Sequence, residues 1–188
     1  NQEALIAASL GAGAGEAATQ WFAPESRWWS GLAAGAWPGT DVARAKQLLT
    51  AYVNDPKRSD KRSPGAKITF ELQCTDDIHL SSMTRELKRQ WEATGLVEVE
   101  LDTVTRSGLI QRVLGSVTDR PGFSGDFDAT CWRVGGESDP AMMFASIFGP
   151  VRTSPLNVSN LHEESITAFV DLLHSSSIET VRQAAVEQ

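Results

Sequence analysis

Residues 67–74 read KITFELQC, and their alternation decides the fold. Ile68, Phe70, Leu72 and Cys74 fall on one face of an extended chain, and Lys67, Thr69, Glu71 and Gln73 on the other, so the period of two predicts a strand. Downstream, Leu80, Met83, Leu87 and Trp91 recur at helical spacing until Gly95, which predicts a helix closed by a glycine. Residues 96–104, LVEVELDTV, alternate again, with Val97, Val99 and Leu101 on one side. A short helix through Leu109, Ile110, Val113 and Leu114 follows, and DFDATCW at 126–132 is the third strand. The order strand, helix, strand, helix, strand predicts an α/β fold with a mostly parallel sheet, right-handed crossovers and flanking helices. Strands covered on both faces are almost continuously apolar, so the polar face of the first two places them near an edge or under a light cover.

Before this core, residues 1–39 read as an irregular segment rich in tryptophan and glycine, with Ala4–Leu10 as the end of a helix. GAGAG at 11–15 lacks the third glycine and the preceding strand of a dinucleotide-binding turn, so it reads as a flexible turn. Trp21, Trp28, Trp29 and Trp37 are expected to pack in the core, covering one face of the sheet. Thr40 is placed to cap a helix whose Val42, Ala45, Leu48, Leu49 and Tyr52 share a face, and Pro56 stops it. The basic cluster Lys57, Arg58, Lys61 and Arg62 lies among Asp, Ser, Pro and Gly and reads as an exposed, solvated loop. After the third strand, Asp139 caps a helix with Pro140 in its first turn, and Ile166, Phe169, Val170 and Leu173 mark a second helix before a third at the chain end. The expectation is one domain over 1–188: a leading segment, 1–39, and an α/β lobe, 40–188.

Composition narrows function. With 17 basic against 24 acidic residues and a formal charge of -7, the chain lacks the concentrated positive face that nucleic acid requires. No run approaches the ~18–20 apolar residues that span a bilayer. His79, His162 and His174 share no metal-ligand spacing with a cysteine or with each other, so no metal site is expected. The phosphate-binding loop is absent, no cofactor is expected, and Ser107 and Ser138 have no partner base beyond His79 and no nucleophile elbow. An enzyme is therefore not expected.

Parallel strands point their C-terminal ends to one edge, and ligands of open α/β sheets bind beyond it. Three loops meet that description: CTDDIH at 74–79, TVTRSG at 103–108 and CWRVGGESDP at 131–140. They supply Asp76, Asp77, Arg106, Trp132, Arg133, Glu137 and Asp139, with Gly135 and Gly136 where backbone can approach a bulky ligand. Acids outnumber bases, which favours a neutral or cationic ligand group. Cys74 and Cys131 end the first and third strands, neighbours in the usual parallel order; a disulfide fits them, and so do two small buried hydrophobes.

An ordered set of pieces resembles the C-terminal lobe of family 5 extracellular solute-binding proteins, the peptide- and nickel-type receptors of ABC importers. The pieces are Asp41, Ala45, Lys46, Leu48 and Leu49 on one helix, Trp91 and Gly95 before a strand, DFDA leading to Trp132, the Asp139-Pro140 pair, and Asn157 ahead of Asp171-Leu172-Leu173. The resemblance implies one lobe of a two-lobed receptor of periplasmic-binding-protein type. That receptor would be exported, often lipid-anchored outside this segment, would close on a peptide or other small-molecule ligand, and would pass it to permease subunits. In peptide-binding members an Asp ahead of the Asp-Pro pair holds the substrate's α-amino group, and here that position falls on Gly135 or Gly136. In dipeptide-binding members an Arg after the first strand holds the carboxylate, where this chain has Cys74, Thr75 and Asp76. Because buried charged termini need paired charges, these departures point to another ligand: a sugar stacked on Trp132, or a cationic molecule facing Asp76, Asp77, Glu137 and Asp139. The alternatives are a sensor or protein-interaction domain on the same lobe and, behind it, an α/β hydrolase or transferase.

Overall fold

The computed structural model describes residues 1–114, 127–133, 139–150, 154, 156–159, 161 and 163–187. In chain order its elements are α1 (Gln2–Leu10), α2 (Gly31–Ala36), α3 (Val42–Asn54), β1 (Ile68–Thr75), α4 (Ile78–Glu92), β2 (Val97–Val104), α5 (Arg106–Leu114), β3 (Ala129–Thr130), α6 (Pro140–Phe148), α7 (Glu164–Ser175) and α8 (Glu179–Val186). They fall into two compact units. The first comprises Asn1–Ala17, Pro38–Leu109 and Phe127–Trp132; the second comprises Ala18–Trp37, Ile110–Asp126 and Arg133–Gln188. The leading segment expected over 1–39 is thus shared between the two.

The first unit carries the α/β fold. Its sheet has the order β2-β1-β3 with both pairings parallel. β1 and β2 stay in register from Ile68 opposite Val97 to Thr75 opposite Val104. The faces marked by the period of two are the core: Leu72, Cys74, Val97 and Val99 are buried, with Ile68, Phe70, Leu101 and, from α4, Leu87 and Trp91 packed on them. Phe70 and Trp91 meet at 5.4 Å between ring centroids. Each such side chain contributes about 1.5–3 kcal/mol when fully buried.

Capping and side-chain contacts fix α4 against this sheet. Asp77 Oδ1 accepts from the backbone N–H groups of His79 and Leu80, both at 3.0 Å, which starts α4. Beyond its end Gly95 adopts φ 78, the left-handed conformation that favours glycine. Glu92 Oε1 accepts from Val99 N–H at 3.0 Å, and Lys88 Nζ donates to Glu92 at 2.8 Å and to the Val99 carbonyl. The free edge of β2 therefore has its backbone groups satisfied at Val99 by α4.

β3 is shorter than the predicted strand. Leu72 pairs with Ala129 and Gln73 with Thr130, and Cys131 N–H donates to the Gln73 carbonyl at 2.9 Å. The ladder stops at Glu71 because its N–H is taken by the Asp128 carboxylate at 2.9 Å, a side chain standing where a backbone carbonyl would. The polar face of the sheet is uneven: Glu98 and Glu100 on the edge strand are exposed, while Gln73 on the central strand is 2% exposed. Gln73 Nε2 donates to Glu71, but Gln73 Oε1 and the neighbouring Thr130 Oγ1 are buried without a hydrogen-bond partner among the described residues.

Three expectations around α3 are corrected. Its cap is Asp41, accepting from Arg44 N–H at 2.8 Å, in place of Thr40, and of the expected apolar face Val42, Ala45 and Leu48 are exposed while burial falls on Val53, with Leu49 and Tyr52 half-buried. Arg58 is not solvated. It is 3% exposed, pairs with both Asp60 oxygens at 2.6 Å, donates to the carbonyls of Val53 at 3.2 Å and Ala66 at 2.6 Å, and lies 5.1 Å over the Tyr52 ring. A tight loop turns carbonyls inward, and the guanidinium is the donor that satisfies them. Lys57, Lys61 and Arg62 are exposed as expected, and Lys61 takes φ 57.

The second unit packs residues 18–37 with the C-terminal helices. Ala141, Leu173 and Ala185 form its core with Phe144 and Val186. Trp28 is 4% exposed between the guanidinium groups of Arg27 and Arg182, at 4.9 and 5.1 Å. Of the four tryptophans expected in the core only this one is buried: Trp21, Trp29 and Trp37 are exposed, and Trp21 meets Phe144 and Phe148 edge-on at 6.2 and 6.4 Å. Asn157 is buried and closes its loop by donating to the carbonyls of Gly149 and Leu161, both at 2.9 Å.

Candidate functional site

The C-terminal edge of the sheet is set by Thr75, Val104 and Thr130, the last residues of three parallel strands. Cys74 and Cys131 are joined as a disulfide with their Cα atoms 5.0 Å apart, which decides between the two readings of that pair. Cys74 is buried and Cys131 half-buried, so the bond welds the ends of β1 and β3 directly beneath this edge.

Beyond the weld the candidate residues divide by role. Asp76 is exposed in the turn after β1, and Trp132 is half-buried immediately after Cys131. Asp77 is engaged in capping α4, so it orders the turn that carries Asp76. Arg106 is exposed at the start of α5, where Thr105 Oγ1 accepts from Gly108 N–H at 3.2 Å. His79 is exposed, and its Nδ1 lies 2.6 Å from the Ser9 backbone carbonyl.

Asp139 belongs to the second unit. It caps α6 by accepting from Ala141 N–H at 2.9 Å and pairs with Arg182, whose Nε also donates to the Leu173 carbonyl at 3.0 Å. The Ala141 N–H, helped by the Arg182 guanidinium against partial burial, holds the Asp139 carboxyl below the usual carboxylate range. Gly135, Gly136 and Glu137 lie outside the described residues. The structure thus gathers Asp76, Asp77 and Trp132 at one edge of one sheet.

Sequence reasoning passed over Gln73 and Thr130, whose buried oxygens, without partners among the described residues, sit one residue before each half of the disulfide. The signal was present as polar residues beside both cysteines, but the alternation placed that face of the first strand only near an edge or under a light cover. Among the described residues no group of His, Cys, Asp and Glu is arranged to hold a metal ion, and no helix is long and apolar enough to cross a membrane.

No protein-family model matches the chain, and no curated protein matches it in sequence. Solved structures do match in fold. The ABC transporter substrate-binding protein CtaP of Listeria monocytogenes aligns over 100% of this chain and 34% of its own, with a TM-score of 0.73 at 16% identity. The oligopeptide-binding protein AppA of Bacillus subtilis, solved with a nonapeptide, aligns over 100% and 36% with a TM-score of 0.73 at 20% identity. A substrate-binding protein of Microbacterium hydrocarbonoxydans, solved with 4-hydroxybenzoate hydrazide, aligns over 100% and 34% with a TM-score of 0.67 at 16% identity. The chain therefore has the α/β fold of a lobe of such substrate-binding proteins and spans about a third of their length.

Proposed function

We propose that this chain is a lobe of the substrate-binding component of an ABC importer. The protein captures an extracellular solute, a peptide-like or other small molecule, between two lobes and passes it to permease subunits without catalysis. The observation that carries this reading is the likeness in fold over the whole chain to several substrate-binding proteins, AppA with its nonapeptide among them. The disulfide agrees with an extracytoplasmic location, where such bonds persist, and a lipid anchor would lie outside these residues.

In this reading Asp76, Asp77 and Trp132 at the C-terminal sheet edge are the ligand-facing residues, and Gly135, Gly136, Glu137 and Asp139 are assigned to ligand binding from their place in the sequence alone. Asp77 and Asp139 act by holding helix starts, which leaves the Asp76 carboxylate and the Trp132 ring to meet the ligand. A carboxylate beside an aromatic face suits a ligand with a cationic or neutral polar group and an apolar body. Thermal unfolding of the whole receptor with a panel of short peptides, sugars and small organic cations tests this. At a hundredfold excess over Kd the true ligand adds about 2.7 kcal/mol, a readily measured rise in Tm. Trp132→Ala and Asp76→Asn are expected to abolish that rise, Asp76→Asn with the unliganded Tm nearly unchanged and Trp132→Ala with it lowered by lost packing; an undiminished rise in both variants would remove the sheet edge from the site.

A further inference from the structure

We propose that the Cys74–Cys131 disulfide is a redox-operated clamp on the β3 seam, so that its reduction opens the sheet at residues 129–132 and leaves β1, α4 and β2 folded. The two seams of the sheet are unequal. β1 and β2 share a continuous register along both strands, whereas β3 holds to β1 through Ala129 and Thr130, the Cys131 N–H bond to Gln73 and the Asp128 carboxylate on Glu71 N–H. So short a strand is weakly held by its own ladder. The weak seam also carries a penalty. Gln73 Oε1 and Thr130 Oγ1 are neighbours across it, both buried and both without a hydrogen-bond partner among the described residues. Opening β3 hands those two oxygens to water, which offsets the ladder bonds that opening breaks. What opposes it is the covalent bond, which spans 57 residues of sequence and fixes Cys131 where Trp132 begins.

The chemistry requires a dithiol reductant. Its thiolate attacks Sγ of the half-buried Cys131, the S–S bond breaks, and the Cys74 thiolate leaves and takes up a proton. The reductant's second thiol then attacks the mixed disulfide, forms the reductant's own disulfide and releases the Cys131 thiol. Two electrons pass from the dithiol to the protein, which ends with two thiols.

The opening needs no ligand; only its consequence for capture rests on the function proposed above. Amide hydrogen exchange of the whole protein, oxidised and after dithiothreitol, tests the clamp, with a Cys74→Ser/Cys131→Ser variant as a second sample. The amides of 129–132 are expected to exchange about a hundredfold faster on reduction while those of β2 keep their protection. Unchanged exchange at Cys131 overturns the proposal, and so does equal acceleration across β2 and α4, which would make the bond a global brace. Should the variant not fold, the reduced wild-type protein still separates these outcomes. A seam that opens while no panel compound raises Tm leaves the clamp standing and removes the ligand reading.

Discussion

Arg58 illustrates what a single side chain decides. A run of Asp, Ser, Pro and Gly reads as solvated, yet a turn this tight presents carbonyls to its own interior, and one guanidinium serves the carbonyls of Val53 and Ala66 together with Asp60. Arg58→Met, which keeps the stem and removes the donors, is expected to lower Tm by several degrees and to loosen the loop so that trypsin cuts faster at the already exposed Lys57, Lys61 and Arg62; limited proteolysis followed by mass spectrometry reads the second effect. Gly149 is tied to its identity by space: a Cβ there would lie 2.3 Å from both the Ala145 carbonyl oxygen and Ser154 Oγ. Gly149→Ala is expected to cost about 1–3 kcal/mol in a denaturant titration. Neither role is visible in sequence, because both depend on which backbone atoms the fold brings near, and spacing carries no record of that.

Among the elements, the regular ones were legible and the irregular ones were not. β1, β2 and α4 were read within a residue or two because one buried face imposes a period on the sequence. β3 was read too long, since Asp128 ends its ladder with a side chain, and three of the four tryptophans were placed inside because their size says nothing of what is available to cover them. Two expectations belong to this scale. By loop-closure entropy a disulfide spanning 57 residues contributes about 4 kcal/mol, so a Cys74→Ala/Cys131→Ala variant should show that loss in chemical denaturation. On α4, the Arg89 guanidinium first, and the Gln90 amide second, hold the Glu86 carboxyl down to about 2 from an ordinary 4.5. A depressed carboxyl stabilises the fold above its unfolded value and loses that contribution as pH falls. The stability lost between pH 4.5 and 2 should therefore shrink in Glu86→Gln, modestly because Arg89 is largely exposed to solvent.

For the molecule as a whole, the sequence carried the α/β class and the position of the C-terminal sheet edge, and left the roles of the residues there undecided. Asp77 and Asp139 read equally well as caps and as ligand groups, and the structure shows both carboxylates capping helices. The two-unit division was not legible, since residues 18–37 join the C-terminal helices through contacts such as Arg182 over Trp28, which no local pattern announces. The attachment of Lys88 and Glu92 to Val99 has a wider consequence. A parallel sheet with a bare outer strand is a template on which a second molecule can add a strand, and repeated addition ends in fibres. Glu92 and Lys88 occupy that template midway along β2, so this edge carries its own stopper against strand addition, built from two side chains of the neighbouring helix.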